Sequence, residues 1–247
     1  MKRIILYVLL GLLLLSLLSG CGQPTTKVRI ATDATWPPFE SVNEQTKEIE
    51  GFDIDLMTAI AEKAGLEIEF MNVAWDPLLA GIAQCQYDAA ISAMTITEER
   101  KKQFLFSDPY FEAGQIVIVR VDNTDITSKD ALADKVAGAQ IGTTGSFEIE
   151  KVAGATLKTY DDIGLAFQDL MNGQIDAVVA DNPLALGYVG EYPDKLKAAG
   201  EVFTEENYGI AVCKTEADLV EKINAGLKAV KDEGLIEQLV GKWLSSQ

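Results

Sequence analysis

Apolar side chains along this chain follow two rhythms, one of four residues and one of two. From Gly51 to Ala64 the spacing is four: Phe52, Leu56, Ile60 and Ala64 share a face and Gly65 follows as a stop, which predicts a helix. Leu66 to Phe70 alternates instead, as a strand with one wet face does. Asp76 and Pro77 are expected to open a second helix as N-cap and first-turn residues, with Leu78, Leu79, Ile82 and Ala83 facing a core. A first strand is expected at Val28 to Thr32, before a turn carrying Pro37 and Pro38. Another at Asp88 to Ser92 ends in a polar loop, beyond which Thr97 can cap a short helix.

After an apolar strand at Gln115 to Val121 the pattern restarts. A helix near Ser128 to Ala133 leads to a strand at Val136 to Ile141, and Ser146 is expected to cap the helix after the small-residue loop Gly142 to Gly145. Ile163 to Met171 reads as a helix burying Phe167, Leu170 and Met171 and stopping at Gly173, with a strand at Ile175 to Ala180 behind it. Tyr208 to Val212 reads as one strand. Thr215 and Asp218 then make a capping-box-like start to a helix bearing Val220, Ile223, Leu227 and Val230, and Leu235, Leu239 and Trp243 mark a last short helix.

Strands alternating with helices imply α/β architecture with largely parallel sheets. Gly81 to Ser92 runs helix end, polar turn, Asp88-Ala89, apolar strand, and Leu170 to Asp181 repeats that order with Asp176-Ala177 in the same place. The echo suggests two similar α/β units. Ligands of open α/β sheets sit beyond the carboxyl ends of strands. Thr32-Asp33, Ser92 to Thr95, Ile141 to Thr144 and Asp181 all lie at such ends, and two facing units would gather them into one cleft.

At the N-terminus, an apolar run from Ile4 to Leu18 follows Lys2 and Arg3 and closes on Leu18-Ser19-Gly20-Cys21. A basic start, an apolar core and a small-residue end make a secretory signal. Its ending on cysteine resembles the bacterial lipoprotein signal, which implies cleavage after residue 20, a lipidated Cys21 and a tether over residues 21–27. The mature chain would then work outside the cytoplasm, lipid-anchored to a bacterial membrane. A spanning anchor is the competing reading, but it needs about 20 apolar residues and this run is shorter.

The formal charge of −17 grows more negative when Lys2 and Arg3 leave, which argues against a nucleic-acid partner. There is no histidine, so the usual general base and the commonest metal ligand are missing, and no cofactor or metal is called for. Cys85 and Cys213 can pair in an oxidising compartment, but two buried free thiols are the favoured reading.

Among candidate site residues, Arg100 stands in the first turn of a capped helix, where a cation opposes the helix dipole. Periodicity alone favours a solvated arginine beside Lys101 and Lys102; a carboxylate clamp is the alternative. Asp181 and Asp33 are either caps or acceptors for an ammonium group. Trp36, Phe39 and Trp75 favour packing over ligand contact. The Gly142-Thr143-Thr144-Gly145 loop can offer N–H groups to an anion but lacks the lysine of a phosphate-binding loop.

Taken together, Ala31 to Glu40, Gly51 to Leu56, Ser92 to Arg100, Phe106 to Tyr110, Gly142 to Ser146 and Tyr208 to Val212 resemble, in order, the polar amino-acid-binding proteins of bacterial ABC importers, solute-binding protein family 3. The resemblance implies a two-lobed periplasmic-binding-protein-like (type II) fold. Residues 28–109 with 209–247 would form one lobe, residues 115–203 the other, and hinges would lie near 110–114 and 204–208. It implies an L-amino acid whose carboxylate meets Arg100, with backbone groups from Ser92 through Ala93 and Met94 to Thr95 and the Thr143-Thr144 loop. Asp181 would take the ammonium, Trp36 and Trp75 would sandwich the side chain, and Asp33 and Gln140 would meet its tip. Ala93 departs from the Ser or Gly of several relatives. Asp33 beside two aromatics suits arginine or another basic amino acid first and glutamine second. The implied partner is an ABC transporter permease and the implied state a monomer. Two alternatives share the scaffold: a dehydratase-like enzyme acting on prephenate or arogenate, and a sensory module.

Overall fold

Two five-stranded sheets built on one plan carry the molecule; the structure, a computed structural model, describes residues 27–244. The signal over 1–20, Cys21 and the tether up to residue 26 lie outside the described residues. In the first sheet, β1 (Val28–Thr32) runs parallel to β5 (Ile68–Asn72) and β6 (Ala89–Ala90), and β15 (Ala211–Val212) lies antiparallel between β6 and β7 (Leu105–Phe106). In the second, β10 (Val136–Gln140) runs parallel to β11 (Thr156–Tyr160) and β12 (Ala177–Asp181), and β9 (Gln115–Arg120) lies antiparallel between β12 and β13 (Leu196–Ala198). Along the chain between β1 and β5, the short strands β2 (Thr35–Trp36), β3 (Glu40–Val42) and β4 (Ile49–Glu50) form a small antiparallel sheet of their own.

The echo noted in the sequence has a structural counterpart. Asp88 accepts from the N–H of Arg29 at 2.8 Å and Asp176 from that of Val136 at 2.9 Å, so each pins the start of its sheet's central parallel pair. Between the sheets, β8 (Phe111–Ala113) pairs antiparallel with β14 (Glu206–Tyr208), and through these two strands the chain passes from one lobe to the other and back. Phe39 packs edge-on against Phe52, Phe111 and Tyr208 under this junction, so its role is packing.

The first lobe is closed by α1 (Phe52–Ala64), α2 (Trp75–Ala83), α3 (Glu98–Lys101) and the late helices α7 (Ala217–Asp232) and α8 (Leu235–Trp243). α1 ends as read: Gly65 is left-handed and Leu66 N–H reaches back to Ala61 O at 2.9 Å. α1 and α7 meet so closely that a Cβ on Gly226 would stand 2.5 Å from Ile60 O. Leu56, Ile60, Ile223 and Val230 are fully buried there, each contributing roughly 1.5–3 kcal/mol. Trp243 Nε1 and Lys242 Nζ both donate to Asp55, fixing α8 to α1. In the second lobe, α4 (Thr144–Glu150), α5 (Ile163–Met171) and α6 (Asn182–Glu191) cover the sheet.

Several boundaries differ from the sequence reading. The strand expected at Leu66 to Phe70 lies two residues later, because Leu66 is used to cap α1. α2 starts at Trp75 with Leu78 N–H on Ala74 O, so Asp76 is inside the first turn rather than the N-cap. α4 is capped by Thr143, whose hydroxyl accepts from Ser146 N–H; Ser146 sits inside the helix. The segment near Ser128 is a single 3-10 turn, Lys129–Leu132. Tyr208 to Val212 is two strands, not one, because Ser107 Oγ takes the Ile210 N–H and the chain leaves β14 for the first sheet. α7 has no side-chain cap; Thr215 turns to Cys213 instead. The cysteines correct the free-thiol reading: Cys85, just past α2, and Cys213, at the end of β15, bring their Cα atoms to 5.0 Å and form a disulfide.

Candidate functional site

A cleft lies where the two sheets present the carboxyl ends of β1, β6, β10 and β12 to one another. Of the residues that the family resemblance assigns to the ligand, all but Met94 line it. Met94 is fully buried beside the cleft, among Ala31, Leu78 and Phe104, and only its carbonyl is engaged, by Gly209 N–H at 3.0 Å. Among the described residues no group of acidic and cysteine side chains is arranged to hold a metal ion.

Arg100 is the central charge. Thr97 caps the short α3 by accepting from Arg100 N–H, which turns the arginine side chain inward while Lys101 and Lys102 pair with Glu98 and Glu99 at the surface. Its guanidinium donates to Thr95 O at 2.7 Å and, from the facing lobe, to Gly142 O at 3.2 Å, and lies 5.2 Å over the Trp75 ring. Only 7% of the residue is exposed, and among the described residues it forms no ion pair. Burial draws its pKa down to about 10, with Asp181 and Glu206 opposing that shift. A buried cation held by two carbonyls and an aromatic face is costly, and an anion would offset the cost. The solvated reading of Arg100 is therefore corrected.

Asp181 ends β12 but does not cap α6. Its carboxylate accepts from Gln115 Nε2 at 2.6 Å and Tyr208 OH at 2.5 Å, and burial with the nearby Glu206 pushes it up to about 7. Asp33, at the end of β1, accepts from Thr35 Oγ1 at 3.0 Å and, from the other lobe, Gln140 Nε2 at 2.9 Å. Burial raises it, and the bonds from Gln140 and Thr35 oppose the rise. Arg100 and Asp181 feel each other's charge.

The aromatic rings of Trp36 and Trp75 complete the walls, and neither indole N–H has a partner among the described residues. Ser92 Oγ accepts from Asp33 N–H at 3.0 Å and donates to Glu40 at 2.8 Å. Ala93 is left-handed, with φ 43°, and its N–H donates to Asp53 at 2.7 Å. Thr143 Oγ1 donates to Gln140 O, and Thr144 and Thr95 hydroxyls both donate to Glu206.

Three polar residues of this region escaped the sequence reading. Glu40 lines the cleft, fully buried, and burial beside Asp53 lifts its carboxyl well above the usual range. Gln115 holds Asp181, and Glu206 sits in the hinge strand. Their signal was present only as polar residues flanking apolar strands, which solvated strand ends share.

Comparison with known proteins follows the same lines. An ABC transporter arginine-binding protein of Escherichia coli K12 is 37% identical over 250 residues, covering 98% of this chain and 99% of its own. A solved ancestral arginine-binding protein bound to arginine is 43% identical with a TM-score of 0.85, over 89% of this chain and 98% of that one. The arginine-, lysine-, histidine-binding protein ArtJ of Geobacillus stearothermophilus is 38% identical with a TM-score of 0.83, over 88% and 95%. These relatives are named as binding proteins, not as enzymes. The description "bacterial extracellular solute-binding proteins, family 3" matches residues 28–246, and the chain belongs to that family.

Proposed function

We propose that this protein captures a polar L-amino acid, arginine or another basic amino acid first and glutamine second, outside the cytoplasm and delivers it to an ABC transporter permease. The observation that carries the reading is the division of charge in the cleft. Arg100 and Asp181, whose charges act on each other, match the carboxylate and ammonium of any free amino acid, whereas Asp33 lies at another strand end, held by Thr35 and Gln140. A zwitterion satisfies the first pair and leaves Asp33 uncompensated, so a cationic side-chain tip completes the balance better than an amide does. Trp36 and Trp75 supply flat apolar walls for the aliphatic stem between. Relatives that bind arginine, lysine and histidine support the basic class.

Ligand contacts from both lobes would favour the closed arrangement, which is the form a permease can distinguish. The relatives' names favour this receptor over a dehydratase acting on prephenate or arogenate. We assign the cleft roles to Asp33, Trp36, Trp75, Arg100, Gln140 and Asp181, with Ser92, Ala93, Thr95, Thr143 and Thr144 as the backbone and hydroxyl frame. Calorimetric titration with the standard amino acids tests the reading: arginine is expected to bind more tightly than glutamine, and no heat with any amino acid at millimolar concentration overturns it.

The signal pattern supports a lipoprotein held by acyl chains on Cys21, and we take the protein to act as a monomer. A Cys21→Ser variant is expected to move from the membrane fraction to the soluble one; a variant that stays with the membrane refutes the anchor.

A further inference from the structure

Glu206, at the start of β14, touches both lobes through one oxygen atom. Its Oε2 accepts from Thr95 Oγ1 at 2.7 Å and from Thr144 Oγ1 at 2.9 Å. Thr95 follows β6 of the first sheet, whereas Thr144 opens α4 beyond β10 of the second. The other oxygen takes Thr204 Oγ1 at 3.0 Å within the hinge segment itself. Only 9% of the residue is exposed, so these hydroxyl bonds to a carboxylate form in a largely dry setting, where they are strong.

The geometry couples this carboxylate to closure. One oxygen cannot stay within bonding distance of two groups that move apart, so any rotation separating Thr95 from Thr144 breaks at least one bond. The same segments frame the buried cation: Thr95 O and Gly142 O, two residues before Thr144, both accept from Arg100. Closing the lobes therefore completes the Arg100 cage and the Glu206 bonds together.

We propose that Glu206 is a closure latch, a positioning residue that touches no ligand and holds the closed arrangement by taking hydroxyl hydrogen bonds from both lobes at once. The inference rests on the reading of the cleft as an amino-acid site. A latch acts after encounter, so it slows escape and leaves association nearly unchanged. Charge opposite Arg100 is the competing role, and two conservative substitutions separate the two. Glu206→Gln keeps the reach without the charge; Glu206→Asp keeps the charge one methylene short.

The test uses the full chain with arginine as the probe. Stopped-flow fluorescence of the cleft tryptophans reads dissociation, and small-angle scattering reads the radius of gyration. Glu206→Asp is expected to release arginine about 10- to 100-fold faster at an unchanged association rate, as loss of a bond to a charged group implies. It should also give a larger radius of gyration at an arginine concentration near the wild-type Kd, while Glu206→Gln, which keeps the reach but not the charge assistance, releases arginine more slowly than Glu206→Asp. The latch is overturned if Gln is as fast as Asp or faster, or if Asp matches the wild type. Should the wild type bind no arginine, the reading of the cleft fails instead; the latch is then judged on ligand-free scattering, where equal radii for wild type and Glu206→Asp overturn it.

Discussion

Gln140 reaches from the end of β10 across the cleft and donates through Nε2 to Asp33 Oδ2 at 2.9 Å, while the same nitrogen also holds Asp161 O at 2.9 Å. One amide thus ties the second lobe to the carboxylate that ends the first strand of the first lobe. The bond fixes where the negative charge of Asp33 lies when the lobes are together, and with it the kind of side-chain tip the cleft accepts.

Replacing Asp33 by Asn should therefore change selectivity more than architecture. The charge-assisted contact to a cationic tip is lost, at a cost of about 10- to 100-fold in arginine affinity. Glutamine, which brings no charge, should lose less, so the preference between the two narrows. Calorimetry on both ligands checks this. An equal loss for both would instead give Asp33 the task of positioning Gln140 and Thr35.

Arg100→Ala should separate binding from stability. Every free amino acid brings a carboxylate, and removing its buried partner is expected to weaken binding at least about a hundredfold for all of them. Among the described residues the guanidinium has no ion pair, so the ligand-free fold gains back its desolvation cost and its melting temperature should not fall appreciably. A variant that keeps arginine binding within tenfold refutes the assignment.

The uneven legibility of this site has physical causes. Helix α1 was readable to the residue at its C-terminus because an apolar stripe and a left-handed glycine are local signals, carried by Phe52, Leu56, Ile60 and Gly65. Asp88 and Asp176 were visible as an echo because both do the same job at the same point of two similar units. Arg100 read locally as a surface residue; what turns it inward is Thr97 behind it and two carbonyls from distant segments. Glu206 gave no sign of its role, since Thr95 reaches it by backbone pairing with Tyr208 across more than a hundred residues and Thr144 by the meeting of the lobes. Met94 stood in a motif whose neighbours face the cleft, yet its own apolar side chain takes the core. The disulfide was undecidable for the same reason of distance, with 128 residues separating its ends.

That disulfide should matter for stability and little for binding. It closes a long loop in the unfolded chain, and removing it as Cys85→Ala with Cys213→Ala is expected to cost about 2–5 kcal/mol in unfolding free energy. Neither cysteine lines the cleft, although Trp75 begins the helix that Cys85 follows, so arginine affinity should stay within a few-fold. Denaturant unfolding beside calorimetry checks both halves. A tenfold loss of affinity would show that α2 needs the crosslink to hold Trp75 in place.

The pH dependence follows from Asp181, which is faced by Gln115 and Tyr208 as donors, by Arg100 as a cation and by Glu206 as a second carboxylate. In the ligand-free protein burial pushes it up to about 7, so near neutrality a substantial fraction is protonated. For the ligand-free fold, a raised pKa means the stabilising contribution is full below the ordinary value of 3.8 and is lost as pH rises to about 7. Asp53, also pushed up to about 7 by burial, acts with the same sign. Binding runs the other way. An arriving ammonium favours the ionised carboxylate, so Asp181 titrates lower in the complex and capture below pH 7 expels its proton. Arginine affinity should therefore weaken as pH falls from 7 to 5, by up to about tenfold per unit, and level off above 7. Arg100, drawn down only to about 10, stays charged throughout this window. Titrations at pH 6 in two buffers of different ionisation enthalpy should register a released proton in the wild type, and less of it in Asp181→Asn. Affinity that is flat from pH 5 to 8 would mean that the ammonium is held by something other than Asp181.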